Sequence, residues 1–253
     1  MKTTVYMGDS SLPGPASYLV GIMTYFGFPF LHVPPDEAPP IAAFADDVGL
    51  YVLSDYPAAM LDAVAMNHLC ARVRQGAGLL MLGGWESYHG LGGDWNATPV
   101  ADLLPVHISA HDDRHNVAQL ALVRILTSHP ITAGLPFDRP PGIGGYNAFT
   151  PRETATVVLC GEPWHITVST GDEPHFAPEP QFPLLVVQEG IASDCGRGRR
   201  ACLATDVAPH WIGGFVDWGV DRLAVHLPSG FIEVGSDYAT FFRNLLAWCH
   251  GAL

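Results

Sequence analysis

The run AGLLMLGG at residues 77–84 sets four large apolar side chains side by side and stops them at two glycines. A strand wetted on one face alternates apolar and polar residues, so a short unbroken apolar run predicts a strand covered on both faces. Such strands belong to parallel sheets packed between helices, and the preceding residues supply matching parts. TTVYMGD (3–9) is a β-branched run ending in Gly-Asp, FPFLHV (28–33) reads as a second strand, and DDVGLYVLSDYP (46–57) holds a third that ends at Ser54 and Asp55. Between them, ASYLVGIMTYF (16–26) places Leu19, Ile22, Met23 and Phe26 at helical spacing, with Gly27 positioned to end the helix. MLDAVAMNHLCARVRQ (60–75) predicts a helix with Leu61, Val64, Ala65, Leu69 and Val73 on one face and Gly76 at its end. The order is that of a doubly wound α/β fold, flavodoxin-like, with an open and mainly parallel sheet and helices on both faces.

The C-terminal half is richer in strand signals and reads as β-rich insertions. A short helix is expected at 99–104 with Thr98 as its cap, and TATVVLCGEPWHITVST (154–170) reads as two strands around a turn at 161–163. FPLLVVQEG (182–190) and RRACLATD (199–206) are two more strands, joined through the turn SDCGRG (193–198). The last helix begins at a Ser236 or Asp237 cap and carries Phe241, Leu245, Leu246 and Cys249 on one side. A chain of 253 residues with 48% hydrophobic content can bury one large core, so residues 1–253 are expected to form a single domain.

Charge narrows the function. The net charge of -13, with Lys2 the sole lysine, leaves no basic stripe for a phosphate backbone, which argues against nucleic acid as a partner. No secretory signal pattern opens the sequence, and no apolar run reaches the roughly 18 residues that span a bilayer, so a cytoplasmic protein without membrane partners is expected. Cys70, Cys160, Cys195, Cys202 and Cys249 form neither a disulfide framework nor a paired metal motif.

In open parallel sheets, ligands bind beyond the carboxyl ends of the strands. The residues following each strand are Asp9 and Ser10, Ser54 and Asp55, Trp85, Glu86, Ser87 and His89, and Asp206, His210 and Trp211. Gathered on one rim they would line a pocket suited to a small polar molecule, although Asp and Ser after strands also serve as plain helix caps.

The Gly-Asp end of the first strand, the block RVRQGAGLLMLGGWESYHGLGGDWNATPVADLLPV (72–106), SHPITAGLP, TDVAPHW and the terminal NLLAW resemble the glutamine amidotransferase-like proteins, relatives of the class I amidotransferases and of the ThuA-like proteins. The resemblance implies a flavodoxin-like fold and does not by itself imply an activity. Class I amidotransferases carry their nucleophile in a Gly-x-Cys-x-Gly turn and use a later His-x-Glu pair. On that pattern Gly83 matches the first glycine, Trp85 falls at the cysteine and Ser87 at the second glycine. His210 matches the histidine, and Ile212 stands at the glutamate. An indole cannot attack an amide carbon, so cysteine-dependent glutaminase activity is not expected.

No other residue restores that chemistry. Cys160 precedes Gly161 but has Val158 where a tight turn needs glycine, and Cys70, Cys202 and Cys249 read as core. Ser87 lacks flanking glycines two positions away. His107, His111 and His115 are spaced four apart, which on a helix would make a metal face, but the segment has weak helical periodicity and reads as a loop. The expected site therefore has no metal and no cofactor. Its acid–base candidates are Glu86 and His210, and its ligand-binding candidates are Asp9, Ser10, Asp55, Trp85, Ser87, His89, Asp206 and Trp211. The alternatives are a hydrolase using water activated by Glu86 or His210, with or without a metal, and a non-catalytic subunit held in a homo-oligomer.

Overall fold

The computed structural model describes residues 1–171, 173–190 and 198–253, with Leu120 described by its backbone alone. The first half runs β1 (Thr3–Gly8), α1 (Ala16–Phe26), β2 (Phe30–Val33), β3 (Val48–Ser54), α2 (Ala63–Gln75), β4 (Gly78–Leu82) and the short β5 (Val106–Ile108). Next come β6 (Arg114–Ile125), β7 (Gly142–Asn147), β8 (Phe149–Pro151), β9 (Thr156–Thr167), β10 (His175–Pro178), β11 (Phe182–Gln188) and β12 (Arg200–Leu203). The chain closes with α3 (Pro209–Ile212), β13 (Arg222–Leu227), β14 (Gly230–Gly235) and α4 (Ser236–Cys249).

The frame is the parallel set β2-β1-β3-β4-β12, in which each strand pairs parallel with its neighbour. This is the strand order of flavodoxin-like sheets. Beyond β12 the same sheet continues antiparallel through β11, β9, β6 and β7, and that extension is the β-rich half anticipated in the sequence. Register fixes the functional rim. Gly8 lies opposite Ser54, and Leu82 lies opposite Leu203, so the chain leaves β1, β3, β4 and β12 on the same side of the sheet.

Helices cover both faces, as the unbroken apolar strands require. One core packs α1, α4 and the β13–β14 hairpin through Leu19, Met23, Ile232, Phe241, Leu245 and Trp248, among others. The hairpin sits so close to α1 that a Cβ on Gly21 would lie 2.3 Å from Ile232 Cδ1. The opposite core packs α2 through Leu69, Cys70 and Val73 against Tyr51, Met81 and Trp95. Burying each such side chain contributes about 1.5–3 kcal/mol, so both layers are needed to hold the sheet.

Local differences from the sequence reading have identifiable causes. Helix α2 starts at Ala63 and not at residue 60, because Asp62 caps it by accepting from Ala65 N at 2.7 Å. Its buried stripe is Met66, Leu69, Cys70 and Val73, and Val64, expected on that face, is exposed. Residues 99–104 form no α-helix: two 3-10 turns, Trp95–Ala97 and Ala101–Leu103, occupy the region. Thr98 closes the first of them, donating from Oγ1 to Trp95 O at 2.8 Å. The expected break at 161–163 is absent, since β9 runs through it, with Gly161 paired to Val123 and Pro163 to Ala121. Gly161 is there for space: a Cβ on it would sit 2.2 Å from the Phe182 ring. The turn expected at 193–198, with Cys195, falls outside the described residues except for Gly198.

Candidate functional site

Three acids from the ends of three parallel strands, β1, β3 and, across β4, β12, meet at the rim. Asp9 follows β1, Asp55 follows β3, and Asp206 lies three residues past β12. Asp9 and Asp55 both hold left-handed backbone, at φ 49° and 45°, a conformation that Asp tolerates better than most residues but that still stores strain. Asp9 accepts from the Tyr6 hydroxyl and Asp55 from the Glu86 backbone N–H. Asp206 is fully buried, and its Oδ1 accepts from the backbone N–H groups of Val207 and, at 3.1 Å, Ala208. The same turn opens α3, which carries His210.

Burial raises all three carboxyls, and neighbouring carboxylates add to it. Asp9 is pushed up to about 7, first by burial and then by the Asp55 charge, against the opposing pull of the Tyr6 hydroxyl that donates to it. Asp55 is pushed up to about 6 by burial, partly offset by the Glu86 backbone N–H it accepts at 2.8 Å. Asp206 is raised by burial and then by the charges of Asp9 and Asp55. Three like charges in a dry site favour sharing protons over full ionisation. His210 Nε2 lies 3.1 Å from Asp206 Oδ2, yet outside hydrogen-bond geometry, so that buried oxygen has no hydrogen-bond partner. Burial lowers the His210 pKa, which favours the neutral ring.

The turn after β4 closes this cluster from the side. Ser87 is buried and its Oγ accepts from Asp55 N at 2.9 Å, while Glu86 contributes its backbone N–H to the same residue. The Glu86 carboxyl is half-buried, and burial raises its pKa. Gly84 lets the two turns touch: a Cβ there would lie 2.0 Å from Asp55 Oδ1. Gly84→Ala therefore displaces the Asp55 carboxylate and is expected to cost about 1–3 kcal/mol, measured by denaturant unfolding.

Other candidates stand apart from the acids. Trp85 is 48% exposed, with the Arg114 guanidinium 4.5 Å above its ring. His89 turns to Asp94, at 3.3 Å, and Ser10 is exposed. Trp211 is buried; its ring lies against Gly145, and Nε1 donates to Asn116 Oδ1 at 3.0 Å. His107 lies on β5 and His115 on β6, where it stacks on Tyr146, and His111 sits in the loop between, so the three share no helix face. A surface groove of about 700 Å³ is lined by Ile41, Phe44, Val64 and His68, among others, and shares no residue with the acidic cluster.

Four supporting residues escaped the sequence reading in this role. Tyr6 reaches Asp9 from within β1, and Tyr238 on α4 donates to Val207 O at 2.7 Å, beside Asp206. Asn147 at the end of β7 accepts from Gly84 N at 2.9 Å and donates to Gly84 O at 3.1 Å and to Asp113 Oδ1 at 2.8 Å. Asp113 in turn accepts the His89 and Gly90 backbone N–H groups, each at 3.1 Å. The described cysteines Cys70, Cys160, Cys202 and Cys249 are buried, and burial raises all four thiols. Raised thiols are poor nucleophiles.

Two solved structures from Salmonella typhimurium share this fold, the cytoplasmic proteins STM3548 and STM1381 (the latter from strain LT2). Each is 20% identical, covers 98% of this chain and 99% of its own, and superposes with a TM-score of 0.73. Among curated proteins none matches the chain. No helix among the described residues is long and apolar enough to cross a membrane. The family model described as "Putative glutamine amidotransferase" matches residues 56–227, a span that contains β4, the Trp85 turn, Asp206 and His210. The chain belongs to this glutamine amidotransferase-like family.

Proposed function

We propose that this protein binds and processes a small polar ligand at the strand-end rim, without a cysteine nucleophile. The observation that carries the reading is the convergence of Asp9, Asp55 and Asp206 with His210 at the carboxyl ends of the parallel strands β1, β3 and β12. Carboxylates accept hydrogen bonds from hydroxyl and amide N–H groups, and the ligand class that fits is a carbohydrate or an amide compound. The resemblance of the sequence to ThuA-like proteins supports a sugar-related ligand. The position after Gly84 carries Trp85, whose indole can wall a pocket but cannot form a covalent intermediate. A cytoplasmic setting accords with the Salmonella relatives, which are described as cytoplasmic. A homo-oligomer is compatible with this reading.

A thermal-shift screen of sugars, polyols and amides tests it. Stabilisation of the wild type is expected to shrink in both Glu86→Gln and His210→Ala. Equal ligand binding in both variants and the wild type would sink the rim-pocket reading.

The 3.1 Å approach of His210 to Asp206 favours a second reading, hydrolysis by a water that His210 activates as general base. Its mark would be turnover that His210→Ala abolishes while ligand affinity survives.

A further inference from the structure

We infer that Asp55, Asp206 and His210 form a binding site for one divalent first-row transition ion. Two carboxylate oxygens, one from each Asp, and a ring nitrogen of His210 lie within 4.8 Å of one another. Donors held 2.0–2.2 Å from a common ion stand about 3–4.4 Å apart, a range close to the limit that bounds this set. The His210–Asp206 separation of 3.1 Å already has the spacing of adjacent ligands.

The independent observation is Asp206 Oδ2. It is buried, it has no hydrogen-bond partner, and it lies beside an imidazole nitrogen outside hydrogen-bond geometry. A buried carboxylate oxygen without a partner costs about 1–3 kcal/mol or more, and a cation between it and the imidazole removes that cost. Asp206 Oδ1 is fixed by the backbone N–H groups of Val207 and Ala208, which orients Oδ2 as an outer-shell hydrogen bond orients a ligand. Asp55 is fixed likewise through Glu86 N. A mixed set of two oxygens and one nitrogen suits Zn²⁺ or Mn²⁺ better than an all-oxygen ion such as Ca²⁺. Three protein ligands leave positions open for water or substrate, the pattern of catalytic sites.

This inference rests on the rim-pocket reading, and the experiment separates their failures. Chelator-treated full-length protein is titrated calorimetrically with ZnCl₂ or MnCl₂ alone, and the polar-ligand screen is repeated with and without chelator. One equivalent of ion should bind to the wild type, with affinity reduced more than about tenfold in His210→Ala and in Asp55→Asn and unchanged in the exposed control His111→Ala. His210 is half-exposed, so its removal leaves a folded protein to measure. Absence of binding, or binding that both site variants retain, overturns the inference. Ligand stabilisation that persists in chelator without ion binding overturns the metal site and leaves the pocket; ion binding without any ligand effect does the reverse.

Discussion

Asn147→Ala is expected to lower stability by about 3–5 kcal/mol, far more than an ordinary polar truncation. Asn147 is fully buried, and its side chain alone satisfies both backbone groups of Gly84 while also donating to Asp113. Truncation leaves a buried N–H, a C=O and one carboxylate acceptor site without their protein partner. The damage spreads along a defined route. The Gly83–Gly84 turn carries Glu86, whose N–H holds Asp55, so loosening the turn releases one wall of the acidic cluster. Denaturant unfolding gives the stability change, and the ligand thermal shift should fall with it. A loss below about 1 kcal/mol would mean that Asn147 does not brace this turn.

The second large effect is a pH dependence with an unusual sign. Asp9 titrates near 7 in the folded chain and near its ordinary value when unfolded, so the folded protein binds the extra proton between those limits. Its contribution to stability is full below the unfolded pKa and is lost as pH rises through the folded one. In chelator-treated protein the loss from Asp9 between pH 4 and pH 8 is on the order of 3 kcal/mol, and Asp55 and Asp206 act in the same direction. Tyr6, Tyr238, Glu86 and His210 face the same cluster; the two tyrosines stay protonated throughout because burial raises them. His250 works oppositely. Its pKa is lowered to about 4 by burial and then by the N-terminal charge, so its contribution is lost as pH falls from the ordinary histidine range toward 4. Comparing Asp9→Asn with the wild type removes that background. The variant keeps an acceptor for Tyr6, should be the more stable protein at pH 8, and should lose its advantage by pH 4. Parallel pH profiles for the two proteins would show that Asp9 is ordinarily ionised.

Much of the frame was legible because burial on both faces leaves an imprint that local sequence cannot hide. The strands β1, β3 and β4 are apolar without alternation, and the helix ends carry Gly27 and Gly76. The antiparallel extension was harder. Gly161 and Pro163 normally punctuate a chain, yet here Gly161 makes room for Phe182 and β9 continues. Strand-end acids could be listed from the order of elements, since position after a parallel strand is a local property. What braces them could not. Asn147 meets Gly84 because β7 lies across the sheet at one particular place, and Tyr238 reaches the Asp206 loop from the last helix. Such contacts join residues 31 and 63 positions apart through packing, and no spacing in the sequence announces them.

The central claim is that this member of the family works through strand-end carboxylates and His210 and not through a thiol. Ammonia release from glutamine, measured with the full-length protein at neutral pH with and without added Zn²⁺ or Mn²⁺, tests it most directly. The account predicts release no faster than in the absence of protein. Release at about 1 s⁻¹ or above, within the ordinary range of enzyme turnover, would contradict it.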